Sequence, residues 1–384
     1  GMFNGCSSLL SITIPASVKT INEAAFRKCI SLVTVTIPDT VETMGNSVFR
    51  ECSNLSSVTI SNSLNTISES LFYGCTSLES ITIPEFVTSI NDSAFLACTS
   101  LTSVTIPETV ESIGDSAFST CSSLTSITIP ESVTTMGGYM FYLCSSLSTI
   151  VIPKNVRSIG VFMFFECSSL TSITIDGPIT SISNYFCLGC SLLNTIIIPE
   201  TVTIIGIQAF YNCDQLTSIT IPNIVTSIDS EAFYGCSLLT SINIPTSLIT
   251  IGNQAFVGCG FNTITIPETV KSIGGGIFSD CRYLTSVIFS PFTTITTIGD
   301  YFCYNCSLLN SITIPKSVTS IGEFAFEGCL KLPSITIPET VESIGSCAFV
   351  NCPELISVTI LDAFNTRVET NSFDNYTNIS RSQN

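Results

Sequence analysis

The sequence predicts a right-handed repeat solenoid, mostly β, with a long parallel sheet on its concave face and short turns or 3-10 segments on the convex side. Three observations predict it. Cysteine returns at a fixed interval: Cys6, Cys29, Cys52 and onward to Cys259 lie 23 residues apart, followed by Cys281, Cys306, Cys329 and Cys352. Between cysteines the same apolar spacing recurs, and a proline closes most of the apolar runs. A period of this length marks a stacked architecture, because one short unit cannot bury its own apolar face and successive units must cover one another.

The unit from Cys121 to Leu143 shows each element in order, with the form C-x-x-L-x-x-I-x-I-P-x-x-V-x-x-I-x-x-x-A-F-x-x. Leu124, Ile127 and Ile129 are the inward positions of a strand, and alternation sends Ser126 and Thr128 to the other face. Pro130 has no N–H to give and ends the strand's ladder. In the preceding unit, Val110 and Ile113 mark a second inward segment, Gly114 permits a turn, and Ala117-Phe118 returns an aromatic side chain to the interior before Cys121. The repeat runs over residues 2–360 as about 16 units. Residues 361–384 read as a C-terminal cap, with Phe364 and Phe373 on the last unit, and a frayed tail.

The L-x-x-I-x-I spacing is that of the strand segment in leucine-rich repeats, and the full unit resembles the BspA-like subfamily of those proteins across about residues 2–360. That resemblance implies association with cell surfaces, adhesion, and contact with a host or matrix. It also implies that any signal or anchor lies outside this segment, since members are often larger and carry separate anchors.

Composition narrows the function. The 384 residues are 45% hydrophobic and 11% charged, with a net charge of −17. Nucleic acid and anionic membrane surfaces need clustered Lys and Arg, so neither is an expected partner. No apolar run reaches the ~20 residues that cross a bilayer. The chain has no His and no Trp. Without the commonest general base and metal ligand, and without a Gly-rich phosphate loop, no catalytic, cofactor or metal site is expected.

The nineteen cysteines invite a disulfide or zinc reading. Their register argues for buried structural thiols instead, since side chains stacked in one slot have parallel Cβ vectors that bridge poorly. Cys187 and Cys303 fall outside the slot. They replace the unit's Phe while Phe186 and Phe302 replace its Ala, a large-for-small exchange that keeps core volume. Both exchanges create C-x-x-C pairs, Cys187/Cys190 and Cys303/Cys306, for which a local redox role stays open. Cys347, in a slot usually held by Ser, is the thiol expected to be accessible.

Three rows are candidates for contact. The strand-centre row is nearly all Thr, interrupted by Val151, Ile197, Asn243 and Ile288. These are candidate partner-binding residues, and drift on a soluble hydroxyl face is the competing account. The row just after the Phe slot carries Tyr73, Tyr142, Phe165, Tyr211, Tyr234 and Tyr304, which either meet a partner or lie flat and shield the ridge. The acidic row after Pro, including Asp39, Glu85 and Glu131, reads as a solvated edge rather than a calcium site, because Lys154 and Lys316 interrupt it. Two register breaks, Asp176-Gly177-Pro178 and Ser290-Pro291-Phe292-Thr293, each precede a Tyr-Phe-Cys variant, which couples the odd corner to the repacked core. The expected function is a non-catalytic adhesion or recognition solenoid, secreted or displayed on a cell surface, that binds a protein or glycan ligand. The alternative is an intracellular protein-protein interaction scaffold in the cytoplasm. Uncapped solenoid ends are expected to favour a dimer.

Overall fold

The computed structural model describes residues 1–361 and 366–382; Phe364, expected in the cap, lies outside them. The chain divides into two compact units, Gly1–Pro199 and Glu200–Asn384. Each is a parallel β-solenoid, and no helix occurs among the described residues.

In the first unit successive turns meet at three kinds of station. One is the predicted strand: Ser80–Thr82 pairs with Ser103–Thr105, and Thr149–Ile152 with Ser172–Ile175, always parallel and one repeat apart. The second is the segment after the repeat's Val, where Thr66–Ile67, Ser89–Ile90, Ser112–Ile113 and Thr135–Met136 form one ladder. The third is the Ala-Phe turn. There alternate N–H groups donate to the following turn: Ser93 to Asp115 O at 2.8 Å, Phe95 to Ala117 O at 2.9 Å, and Ala97 to Ser119 O at 2.8 Å.

That third ladder requires unusual backbone. Ser93 and Ala97 have φ of 56° and 60°, and Ser116 and Thr120 repeat the pattern at 56° and 57°. Non-glycine residues avoid this left-handed region, and holding one there costs about 1–3 kcal/mol that neighbouring contacts must offset. In these turns the ladder bonds offset it. Gly114, assigned from sequence to the turn itself, serves close approach instead. A Cβ there would stand 2.7 Å from Asp92 N and 2.9 Å from the Asn91 carbonyl carbon. Gly177 acts likewise at its register break, where a Cβ would meet Val156 O at 2.3 Å.

The second unit repeats the three stations. Thr263–Ile266, Ser286–Phe289 and Ser311–Ile312 pair in sequence, the last two 25 residues apart, so the lengthened repeat loses its extra residues into the loop after Phe289. Strand pairing reaches the tail, since Ser357–Leu361 pairs with Asn378–Ser382. Phe373 stacks on Phe349 at 5.1 Å, and the Asp374 carboxylate accepts the N–H of Asn351 at 3.3 Å and of Cys352 at 3.0 Å.

The core of the first unit is a column of phenylalanines. Phe3, Phe26, Phe49, Phe72, Phe95, Phe118, Phe141 and Phe164 stack with centroids 5.4–5.9 Å apart and planes within 13°. Phe186, shifted one slot, meets Phe164 edge-on at 83° and stays fully buried. In the second unit Phe302 makes the same change, crossing Phe278 at 86°. It also lies 6.2 Å from Phe289, the last residue before the lengthened loop, so the odd corner and the repacked core are in contact there.

Candidate partner-binding surfaces

The thiols are the most numerous reactive groups, and all nineteen are free. Their slot has a defined bond. Cys98 Sγ donates to Phe72 O at 3.2 Å, Cys121 to Phe95 O at 3.2 Å, and Cys144 to Phe118 O at 3.1 Å. The same Phe95 carbonyl takes the Cys98 N–H at 3.1 Å, so the thiol from the next turn fills its second lone pair. Cysteine suits the slot because it is small, apolar and still a donor; sequence reasoning saw only the first two properties. Burial pushes the thiols of Cys52, Cys144 and Cys352 up to about 12, away from the reactive thiolate. Burial raises Cys303 as well, and the Cys306 thiol donates to Phe278 O at 3.0 Å like its counterparts in other turns. Cys347 is half-buried, while Cys6 is exposed and therefore the more accessible thiol.

On the strand face, three of the four exceptions are prominent: Val151 is 51% exposed, Ile197 72% and Ile288 50%. Val151 lines a groove of about 440 Å³ with Ile127, Ile129 and Pro153 in the first unit. Ile288 lines one of about 680 Å³ with Phe289, Pro291, Ile314 and Lys316 in the second. The grooves open where strand pairing lapses. Residues 126–129 form no strand, and the pairing of Ser286–Phe289 with Ser311–Ile312 stops at Val287, before Ile288. The expected long sheet is thus divided into short ones.

Asn243 differs from the other three. Its side-chain oxygen accepts the Ile221 N–H at 2.8 Å and its amide donates to Ile221 O at 2.8 Å, replacing a stretch of backbone ladder. Both polar ends of the side chain are occupied by its own solenoid. It lines a groove of about 620 Å³ with Ile242, Thr265, Pro267 and Ser290.

The tyrosine row separates into three arrangements. Tyr142 and Phe165 stack at 4.6 Å and 8°, as do Tyr211 and Tyr234 at 4.6 Å and 6°. Burial first, then the neighbouring Tyr234 and Glu231, raises the Tyr211 phenol above its ordinary range. Tyr73 instead carries the Arg50 guanidinium 4.3 Å from its ring centroid. Tyr304 meets no ring of its own row and lies 5.5 Å from Tyr301 at 71°. A second aromatic row went unread in the sequence. Tyr139, Phe162 and Tyr185 stack at 4.8 and 4.2 Å beside the first row, and Tyr301 stacks on Phe324 at 5.0 Å. All five residues have positive φ, which turns their side chains outward. The signal was present: this slot holds Ser47, Ser70, Ser93 and Ser116 in earlier turns, and a bulky ring in its place departs from the pattern.

The acidic row makes local bonds. Asp39 accepts the Asn62 N–H at 2.8 Å, and Glu131 faces Lys154 at 3.7 Å with both side chains exposed. Among the described residues no group of three or more His, Cys, Asp or Glu side chains is arranged to hold a metal ion.

A 23-residue unit with an L-x-x-I-x-I strand, stacked in parallel and sealed by a Phe column, defines a leucine-rich-repeat solenoid, a fold typical of protein interaction rather than catalysis. The chain belongs to the family described as BspA type leucine rich repeat region, whose model matches residues 1–107, 88–217, 203–310 and 296–383. A leucine-rich repeat protein from Bacteroides ovatus is 23% identical, with 98% of this chain and 93% of that one covered and a TM-score of 0.53. One from Eubacterium ventriosum is 25% identical, with coverage of 86% and 85% and a TM-score of 0.50. A leucine rich cell surface protein from Faecalibacterium prausnitzii is 30% identical, with coverage of 91% and 87% and a TM-score of 0.48. Among curated proteins no match to the chain is found.

Proposed function

We propose that the protein is a non-catalytic binding solenoid, displayed at a cell surface or secreted, whose strand face takes up a protein or glycan of a host or matrix. The supporting observation is the set of isolated apolar side chains, Val151, Ile197 and Ile288, held half or more exposed in rows that are otherwise Ser and Thr apart from Asn243. Such half-exposed side chains contribute little to the fold, yet each gains about 1–2 kcal/mol when a partner covers its remaining surface. Family membership supports display, through the family's association with cell surfaces and adhesion.

The test is a binding panel of matrix proteins and glycans, read for the wild type and for Ile197→Ser and Ile288→Ser. The expected result is a wild-type ligand whose affinity falls about tenfold in at least one variant, with melting temperatures unchanged. Equal affinities would remove the strand face from the reading. Surface labelling of intact cells should reach the native protein; labelling only after lysis counts against display.

A further inference from the structure

Within the first unit a guanidinium already rests on a tyrosine, that of Arg50 on Tyr73. The two hold one slot on successive turns, two residues before Cys52 and Cys75, and Arg50 Nε reaches the adjacent Glu51 carboxylate at 3.2 Å. Ring, cation and carboxylate therefore come from three fixed slots of the repeat. In the second unit those slots are held by Tyr304, Ser279 and Asp280. Ring and carboxylate are kept, and a serine stands where the cation would be.

The surroundings suit a cation from outside. Ser279 is buried and its hydroxyl is bonded to Tyr301 O at 2.8 Å, so it does not reach over the Tyr304 ring. Tyr301, 44% exposed, adds a second ring 5.5 Å away. Glu327 holds the Tyr304 slot one turn further on, which puts acidic side chains on the turns either side of Tyr304. The present partners of Asp280 are long contacts, with the exposed Arg282 at 3.6 Å and Asn305 at 3.4 Å, which a closer cation displaces.

We propose that this vacated slot is a guanidinium site, binding an arginine side chain of a cationic partner segment against Tyr304 and Asp280. The net charge of −17 draws cationic segments toward the chain. Arginine is preferred to lysine because its planar, weakly hydrated head stacks on a ring while its N–H fork meets a carboxylate. The proposal gives the partner of the binding reading a chemistry and rests on that reading.

The experiment is an anisotropy titration at about 150 mM salt with a dye-labelled Gly-Arg-Gly-Arg-Gly peptide and its lysine counterpart. Ser279→Arg fills the slot from within, as Arg50 does over Tyr73, while Tyr304→Leu and Asp280→Asn remove the ring and the charge. The arginine peptide should bind more tightly than the lysine peptide, and each variant should weaken it about fivefold. Tyr142→Leu, at a step whose carboxylate slot holds Thr120, should change it less. Ser279→Arg retains the ring and so guards against a mere folding defect in Tyr304→Leu. Wild-type affinity in Ser279→Arg, or no peptide bound by the wild type, overturns the proposal. A wild type that binds a matrix or glycan ligand but not the peptide overturns this site alone; one that binds neither overturns both readings.

Discussion

The turn ending at Cys121 and the turn ending at Cys306 come from the same repeat and solve the same packing problem differently. In the first, Ala117-Phe118 places a ring face-to-face between Phe95 and Phe141, 5.4 and 5.9 Å away. In the second, Phe302-Cys303 moves the ring one slot, and it meets Phe278 and Phe326 at 86° and 62°. Both rings are fully buried. The core therefore demands one ring per turn and tolerates either orientation. The turn with the crossed ring has a longer corner, a Phe289 contact and a tyrosine in the left-handed slot, so internal freedom is spent where the surface becomes distinctive.

The largest expected effect tests the shared demand for a ring. Phe118→Ala should lose about 4 kcal/mol in denaturant unfolding, and Phe302→Ala a similar amount. A much smaller loss at Phe302 would mean that the crossed ring is not a core member of equal rank. Restoring the common pattern with the double change Phe302→Ala and Cys303→Phe keeps volume but abandons Phe289. A cost of about 1–3 kcal/mol is expected. No loss would separate the corner from the core.

Alkaline unfolding comes next. Cys52, Cys144 and Cys352 titrate near 12 when folded against an ordinary 9.0, chiefly because burial disfavours the thiolate. The folded state keeps protons that the unfolded chain releases. Stability is therefore complete below pH 9 and declines as pH rises from 9 towards 12, by about 1.4 kcal/mol per pH unit for each such thiol. Melting temperatures measured across this window check the slope; a flat profile contradicts the buried column. At pH 8 a thiol reagent should reach Cys6 and Cys347 in the folded protein and the remainder only in denaturant. Early reaction at Cys303 or Cys306 would show that the crossed turn opens more readily than the stacked one.

The smallest effect concerns Asn243. Asn243→Leu removes both bonds to Ile221 and should cost about 1 kcal/mol, whereas Ile197→Ser, at the most exposed apolar side chain of the row, should cost less than about 0.5 kcal/mol. Equal stabilities would return Asn243 to the pool of free surface residues.

Much of this was legible because a strict period exposes whatever is repeated. The register, the inward Phe118, the buried Cys121 and the ring exchange at Phe302-Cys303 follow from spacing and side-chain volume alone. What escaped depends on direction, not identity. That Cys121 donates to Phe95 O requires knowing where a carbonyl points after the chain has gone once around. The outward rings of Tyr139, Phe162 and Tyr301 follow from positive φ, which leaves no trace in apolar spacing. Asn243 looked like one more departure from Thr, because only the folded distance to Ile221 shows its amide standing in for backbone. The binding rows were visible as rows, but the sequence does not show that Tyr73 already has its cation and Tyr304 does not.

The Ala-Phe ladder runs in one sense only, opposite to the ladder at the second station. Phe3 and Gly5 give their N–H groups forward to Ala25 and Arg27, and Phe349 gives its own to Ser372, whereas at the second station Gly45, Gly114 and Gly345 give theirs back to Ile21, Ile90 and Ile321. Opposed dipoles of this kind offset one another, so the end of the Ala-Phe ladder is a local row of donors and not a charged rim. At the last of these donor rows the Asp374 carboxylate accepts the N–H groups of Asn351 and Cys352, closing the row much as a capping side chain closes the start of a helix. Added turns would extend such a structure without altering its sense, because each fresh rim presents the same row of donors as the one it covers.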